Sequence, residues 1–243
     1  MSKRKRNRKT SVNRKIRRNF KDTVFRMLFR DKKRLLELYN AVAGRNYTDP
    51  ELLEIVTLEN AIYMEIKNDL AFLIDFNLYL YEHQSTVNKN MPLRLLEYVT
   101  AEYKKLTAAE DLYAEKLIKI PAPHFVVFYN GTAALPEEEE LKLSDAYLTK
   151  EDAPELELKV RVLNINENFN ESLKEQCRTL GEYMQYVDKV RMYAKEMPIE
   201  DAVDKAMDEC IRDGILKEFL LKSRAEVRNT HTSLSMQTPL AKV

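Results

Sequence analysis

The alternation of apolar and polar positions divides the chain into helical ends around a strand-rich middle. Over residues 20–43, Val24, Phe25, Leu28 and Phe29 recur at helical spacing. Leu35, Leu36, Leu38 and Tyr39 extend that apolar face past Asp31, which predicts one or two helices stopped at Gly44. Residues 47–50 read as a turn, and 51–58 fit helix or strand equally. Between residues 62 and 85, Tyr63, Ile66, Leu70, Phe72, Leu73 and Ile74 predict a strand. Residues 77–84 predict a second, with Leu78 and Leu80 on one face and Tyr79 and Tyr81 on the other. Asp75-Phe76-Asn77 is the expected turn of this antiparallel hairpin. Pro92 opens a helix through Leu95, Leu96, Val99 and Tyr103, and Leu112, Tyr113, Leu117 and Ile118 predict a further one before Pro121 and Pro123.

The compact apolar run 124–129 predicts a buried strand ended by Asn130-Gly131. Residues 137–157 hold nine acidic and two basic side chains, so a loop or solvated edge is expected there. Leu156, Leu158, Val160 and Val162 then place a strand over 156–165. From Asn170 to about Ala225 the period is helical. Leu173, Cys177, Leu180, Met184 and Val187 mark one long helix. Val203, Met207, Cys210, Ile211, Ile215, Phe219 and Leu220 mark another, capped at Asp201 or the residue before it. The pattern predicts an α/β core with a helical C-terminal segment.

Charge changes this picture at one end. The whole 243-residue chain carries a formal charge of +1, yet residues 1–18 hold ten Lys or Arg and no acid: Lys3, Arg4, Lys5, Arg6, Arg8, Lys9, Arg14, Lys15, Arg17 and Arg18. Taking these ten from the total of 40 leaves 30 basic against 39 acidic side chains, a net of −9 for the rest. A basic, aperiodic arm is expected to be disordered alone and suited to a nucleic-acid backbone, a solubilising role or an acidic partner. Four glycines argue against a glycine-rich nucleotide loop. Two cysteines, Cys177 and Cys210, make neither a disulfide scaffold nor a zinc signature and fit a reducing, cytoplasmic setting. No run of 18 apolar residues exists, so a membrane span is not expected, and the basic start lacks the apolar core of a secretion signal.

The sharpest chemical feature lies in the hairpin. Strand alternation puts Glu82 and Gln84 on the Leu78/Leu80 face, a side otherwise meant for the core, and a charge there needs a partner or a metal. A two-residue loop at Asp75-Phe76 sets Asp69 opposite Glu82; a three-residue loop sets it one step away. Either register gathers two carboxylates at one end, a donor set for Mg²⁺ or Mn²⁺, with the competing reading of ordinary carboxylates at a polar strand end. Gln84 cannot act as a general base but can position water or phosphate through its amide. Arg94 is close enough in sequence to reach a phosphate. His83, His124 and His231 are weaker candidates, and Tyr63, Tyr79, Tyr81 and Tyr129 are expected to pack rather than stack on bases.

The residues Lys67-Asn68-Asp69-Leu70-Ala71-Phe72-Leu73 and Leu80-Tyr81-Glu82-His83-Gln84-Ser85 resemble the core of the transposase-associated recombination-promoting nucleases, within the PD-(D/E)xK superfamily. The resemblance extends to residues 20–29, to Asn90-Met91-Pro92-Leu93-Arg94-Leu95-Leu96-Glu97-Tyr98 and to Val126-Val127-Phe128-Tyr129-Asn130-Gly131, covering roughly 19–225. It implies a restriction-endonuclease-like mixed sheet flanked by helices and Mg²⁺-dependent hydrolysis of DNA phosphodiesters. Asp69 and Glu82 take the places of the metal-binding acids. Gln84 stands where the superfamily usually has lysine, which leaves the base open between a metal-bound water and a DNA phosphate. Asp22 matches an acidic position of the opening helix and is a third candidate ligand.

The expected organisation is a basic arm (1–18), a nuclease-like core (19–168), a helical segment (169–225) and a disordered tail (226–243). The expected function is a metal-dependent endonuclease associated with transposition or recombination. It acts on DNA without an organic cofactor or a membrane, and pairing as a homodimer through the C-terminal helices is an open alternative to their completing the core. The competing classes are a catalytically inactive DNA-binding or assembly protein that keeps the fold, and a helical interaction module whose acidic loop recruits a protein. Deleting residues 1–18 is expected to weaken DNA binding and flatten its salt dependence in a filter-binding series; unchanged binding would remove the arm from this role.

Overall fold

The computed structural model describes residues 21–56 and 69–232, the side chains of 225–232 excepted. The basic arm, the strand expected over residues 62–68 with Tyr63, and the tail after 232 lie outside the described residues. The chain forms two compact units, one from Asn46 to Glu171 and one joining the helices before residue 46 to those after 171.

The first unit is built on a six-stranded mixed sheet. Its strands are β1 (Glu54–Ile55), β2 (Leu70–Ile74), β3 (Asn77–Gln84), β4 (Ala122–Tyr129), β5 (Glu138–Lys142) and β6 (Lys159–Asn164), in the order β1-β2-β3-β4-β6-β5. The β1–β2, β2–β3 and β5–β6 pairs are antiparallel; β3–β4 and β4–β6 are parallel. A parallel step needs a crossover, and α3 (Met91–Leu106) supplies it between β3 and β4. Its buried Met91, Leu95, Tyr98 and Val99 meet Leu78 and Leu80 of β3, Phe125 and Val127 of β4, and Val160 and Val162 of β6 in one core. The even-numbered face of β3 therefore looks toward α3. On the odd-numbered side, Tyr81 packs edge-on against Phe72 and Phe128, and Tyr79 stacks on His124. These tyrosines pack, as their alternation predicts.

Pro123 sits inside β4, a central strand, where proline is normally excluded. It is tolerated because β6 pairs with β4 only from Val126 onward. The acidic stretch yields the edge strand β5, and its Glu138 carboxylate takes a paired bond from Arg161 at 2.5 and 2.8 Å. That bond holds the Glu138 carboxyl below the usual range. A charged edge also discourages pairing with another sheet.

Two sequence expectations fail in this unit. No helix forms over 107–121, where Leu112 and Leu117 are exposed and Tyr113 is fully so. A short amphipathic pattern does not hold a helix without a surface to bury its face. The strand expected from Leu156 begins only at Lys159, and Leu156 is exposed.

The second unit is helical. After the helical residues 21–29 (α1) comes α2 (Lys32–Ala43), capped by the Asp31 side chain, which accepts from the Lys33 and Arg34 N–H groups at 3.1 Å. Gly44 ends it at a φ of +62°. The long helix expected from Leu173 is broken at Cys177 into α4 (Glu171–Gln176) and α5 (Arg178–Tyr193). The Glu37 carboxylate of α2 accepts from the Thr179 N–H and hydroxyl, satisfying donors in the first turn of α5. The next helix, α6 (Ile199–Asp213), starts after Pro198. Asp201 and Glu200, the residues expected to cap it, both lie in the first turn instead. The single helix expected from Val203 through Leu220 is broken at Gly214, whose φ is +82°, and the last helix, α7 (Lys217–Thr232), runs past the expected end near Ala225. Cys177 and Cys210 are buried, and burial pushes their thiols up to about 12 and about 11, so both stay protonated at neutral pH. Among the described residues no helix is long and apolar enough to cross a membrane.

The turn after β4 ties the sheet to the end of β3. The Asn130 N–H donates to the Gln84 carbonyl at 2.9 Å, and a Cβ on Gly131 would overlap the Ser85 carbonyl and the Tyr129 ring. Gly131→Ala should therefore destabilise the fold by about 3 kcal/mol, at the upper end of overpacking effects, in urea unfolding. An unchanged midpoint would show that the turn relaxes freely.

Candidate functional site

The register of the hairpin brings the two acids together. Ile74 pairs with Asn77 and Leu70 with Tyr81, leaving a two-residue turn of Asp75 and Phe76. Both turn residues have positive φ, +50° and +59°, as a type I′ turn requires. Continued one step, the register sets Asp69 against Glu82. The Asp69 N–H donates to Glu82 Oε1 at 2.9 Å, and the His83 N–H donates to Asp69 Oδ2 at 2.8 Å. Each carboxylate thus holds a backbone donor at the point where β2 begins. Glu82 is almost wholly buried, whereas Asp69 is half-buried.

A cation enters from α3. Arg94 Nη2 lies 3.6 Å from Glu82 Oε2, and the same nitrogen donates to the Tyr98 hydroxyl oxygen at 2.7 Å. Of the two orientations of the Gln84 amide, one satisfies both ends. In it Oε1 accepts from Arg94 Nη1 at 2.9 Å and Nε2 donates to the Thr86 carbonyl at 3.2 Å. Burial would lower the Arg94 pKa, but the bond to Tyr98 and the charges of Glu82 and Asp69 outweigh it and raise it. Burial, with the nearby Glu82 charge, pushes the Tyr98 hydroxyl up. The result is an oxygen-rich cluster of two carboxylates, an amide, a phenol and a permanent cation.

No family model, curated protein or solved structure matches the chain.

Asp22 lies in α1, in the helical unit. Lys3, Arg4, Lys5, Arg6, Arg8, Lys9, Arg14, Lys15, Arg17 and Arg18 lie outside the described residues. His83, expected to alternate away from Glu82 toward solvent or an adjacent helix, is buried. His124, stacked on Tyr79, has its pKa lowered by burial, and a ring nitrogen lies 3.3 Å from Asn77 Oδ1. The His231 side chain is outside the described residues. A cleft of about 650 Å³ opens among Leu73, Phe76, Ile118 and Ile120. It sits at the turn end of the hairpin, away from the carboxylates, and contains none of the candidate site residues.

Tyr98 escaped the sequence reading as a site residue. Its signal was present as the Arg94-x-x-x-Tyr98 spacing, which aligns two side chains on one helical face. Among the described residues, no group of three or more His, Cys, Asp or Glu side chains forms a metal-holding cluster. The donor set to be tested for a metal is therefore the Asp69–Glu82 pair, and its all-oxygen character fits a hard divalent cation.

Arg94 offsets the buried Glu82 charge, but its side chain is 37% exposed, so solvent screening limits the pair. Arg94→Met is expected to lower stability by about 1–2 kcal/mol in chemical unfolding. Adding Glu82→Gln should recover part of that loss, because the buried charge that Arg94 faces is then removed as well. Strict additivity of the two changes would contradict this coupling.

Proposed function

We propose that the chain is a metal-dependent endonuclease that hydrolyses DNA phosphodiester bonds on a restriction-endonuclease-like core, of the type associated with transposition or recombination. The observation that carries this reading is the Asp69–Glu82 pair, fixed by hairpin register and flanked by Arg94 and Gln84. The sequence resemblance of residues 67–73, 80–85 and 90–98 supports the same assignment.

Asp69 and Glu82 would hold Mg²⁺, with Mn²⁺ as the alternative. When bound, such an ion supplies an activated water and neutralises charge growing on phosphate oxygens. The protein's part is placement. The two backbone N–H bonds fix the carboxylates before substrate arrives, so little reorganisation is needed. Arg94 presents a planar fork of donors suited to a phosphate. Gln84 orients a water or phosphate oxygen through its amide. Neither Gln84 nor the protonated Arg94 can take up a proton at neutral pH, so neither serves as the base. Homodimerisation would supply a second site for the second strand, and the basic arm would add salt-sensitive attraction that an acidic body lacks.

A second reading, an inactive DNA-binding or assembly protein with the nuclease fold, draws on the Arg94 guanidinium that already faces Glu82. Cleavage separates the two. With Mg²⁺ and linear, nicked and single-stranded DNA, the wild type should cut, and Asp69→Ala or Glu82→Ala should lose at least about 100-fold in rate. Gln84→Ala should lose less. Cleavage retained by a rigorously purified Asp69→Ala/Glu82→Ala double variant would sink the endonuclease assignment, and a normal Gln84→Ala rate would remove the glutamine from the chemistry.

A further inference from the structure

Arg94 lies between a buried carboxylate and solvent. It faces Glu82 Oε2 at 3.6 Å through Nη2. It is held there by the Tyr98 hydroxyl at 2.7 Å, by Gln84 Oε1 at 2.9 Å and by Met91 Sδ at 3.3 Å. The Glu82 side chain is 4% exposed, whereas that of Arg94 is 37% exposed. The arginine therefore reaches solvent from a position over a buried carboxylate. A buried carboxylate requires a compensating charge. A divalent cation on Glu82 would provide that charge and would repel a guanidinium left in place. A phosphodiester arriving from solvent offers Arg94 a planar, bidentate alternative.

We propose that Arg94 is an exchangeable counter-ion. It neutralises Glu82 while DNA is absent and transfers to a backbone phosphate when DNA binds, so that DNA and the divalent cation bind with positive coupling. Tyr98 is the positioning residue that keeps the guanidinium within reach of both anions. The inference rests on the reading of Asp69 and Glu82 as the metal-holding pair. It adds to that reading an order of events: the substrate itself frees the second carboxylate. A cation present without DNA then competes with Arg94 for Glu82, which restrains metal loading until a phosphate is at hand. The coupling is reciprocal, so the cation must tighten DNA by the same factor as DNA tightens the cation.

The test is calorimetric titration of the full chain with Ca²⁺, with and without a short DNA duplex. The wild type should bind Ca²⁺ tighter with duplex, by about 5- to 150-fold, the range of ordinary coupling. Arg94→Met should bind Ca²⁺ about fivefold or more tighter than wild type without duplex, and should lose most of the duplex effect. Tyr98→Phe keeps the charge but releases its anchor, and should fall between the two; it carries the test if Arg94→Met fails to fold. If Asp69→Asn abolishes Ca²⁺ binding while Arg94→Met and Tyr98→Phe both match wild type, the exchange is overturned and the metal-holding pair stands. If neither wild type nor Arg94→Met takes up Ca²⁺, with or without duplex, the pair and the exchange fall together.

Discussion

The two-residue turn at Asp75-Phe76 is the constraint on which the site depends. Side chains on a strand alternate, so a slip of one residue moves every one of them to the other face. In the observed register Glu82 and Gln84 look toward α3 and His83 looks away. A slip would exchange the acid for the histidine and part Asp69 from its partner. The turn is held at a local cost, since neither residue is glycine yet both adopt positive φ. Aspartate tolerates that region, whereas phenylalanine does so rarely. Phe76 is 95% exposed, so its side chain gains little from burial there. The strain is outweighed by the strand pairing beyond it and by the apolar faces that pairing buries.

The second organising element is α3. It closes the parallel step from β3 to β4 and covers the Leu78/Leu80 face. Its first turns also deliver Arg94 and Tyr98 to the acids. One helix therefore links the core of the sheet to the electrostatics of the site. The buried Glu82 would be difficult to retain on a purely apolar face, and the cation opposite it makes the placement tolerable. The close approach at Gly131 acts from the other side. It seats the turn after β4 against Ser85, directly beyond Gln84.

Much of the sheet unit was legible in the sequence because its signals are local. Alternation over residues 77–84, the apolar run before Asn130-Gly131 and Pro92 at a helix start each depend on near neighbours. The hairpin symmetry that relates Asp69 to Glu82 needed only the turn. What was illegible depended on distant partners. The helix pattern over 107–121 found no surface to bury its face. The break at Cys177 draws on a carboxylate from α2, far away in sequence. The start of α6 moved from a cap at Asp201 or Glu200 to Ile199, after Pro198, a shift of the size that caps alone leave undecided. Arg94 stood out in the sequence by its nearness to the hairpin acids, but its attachment to Tyr98, Gln84 and Glu82 required the fold.

The central claim is that Asp69 and Glu82 share a divalent cation. Anomalous diffraction from crystals grown with Mn²⁺ and a DNA duplex tests it most directly. The account predicts a single strong peak between the two carboxylates, with oxygens of both at coordination distance and Arg94 on a phosphate. No peak there at saturating Mn²⁺, with Arg94 still facing Glu82, would contradict it.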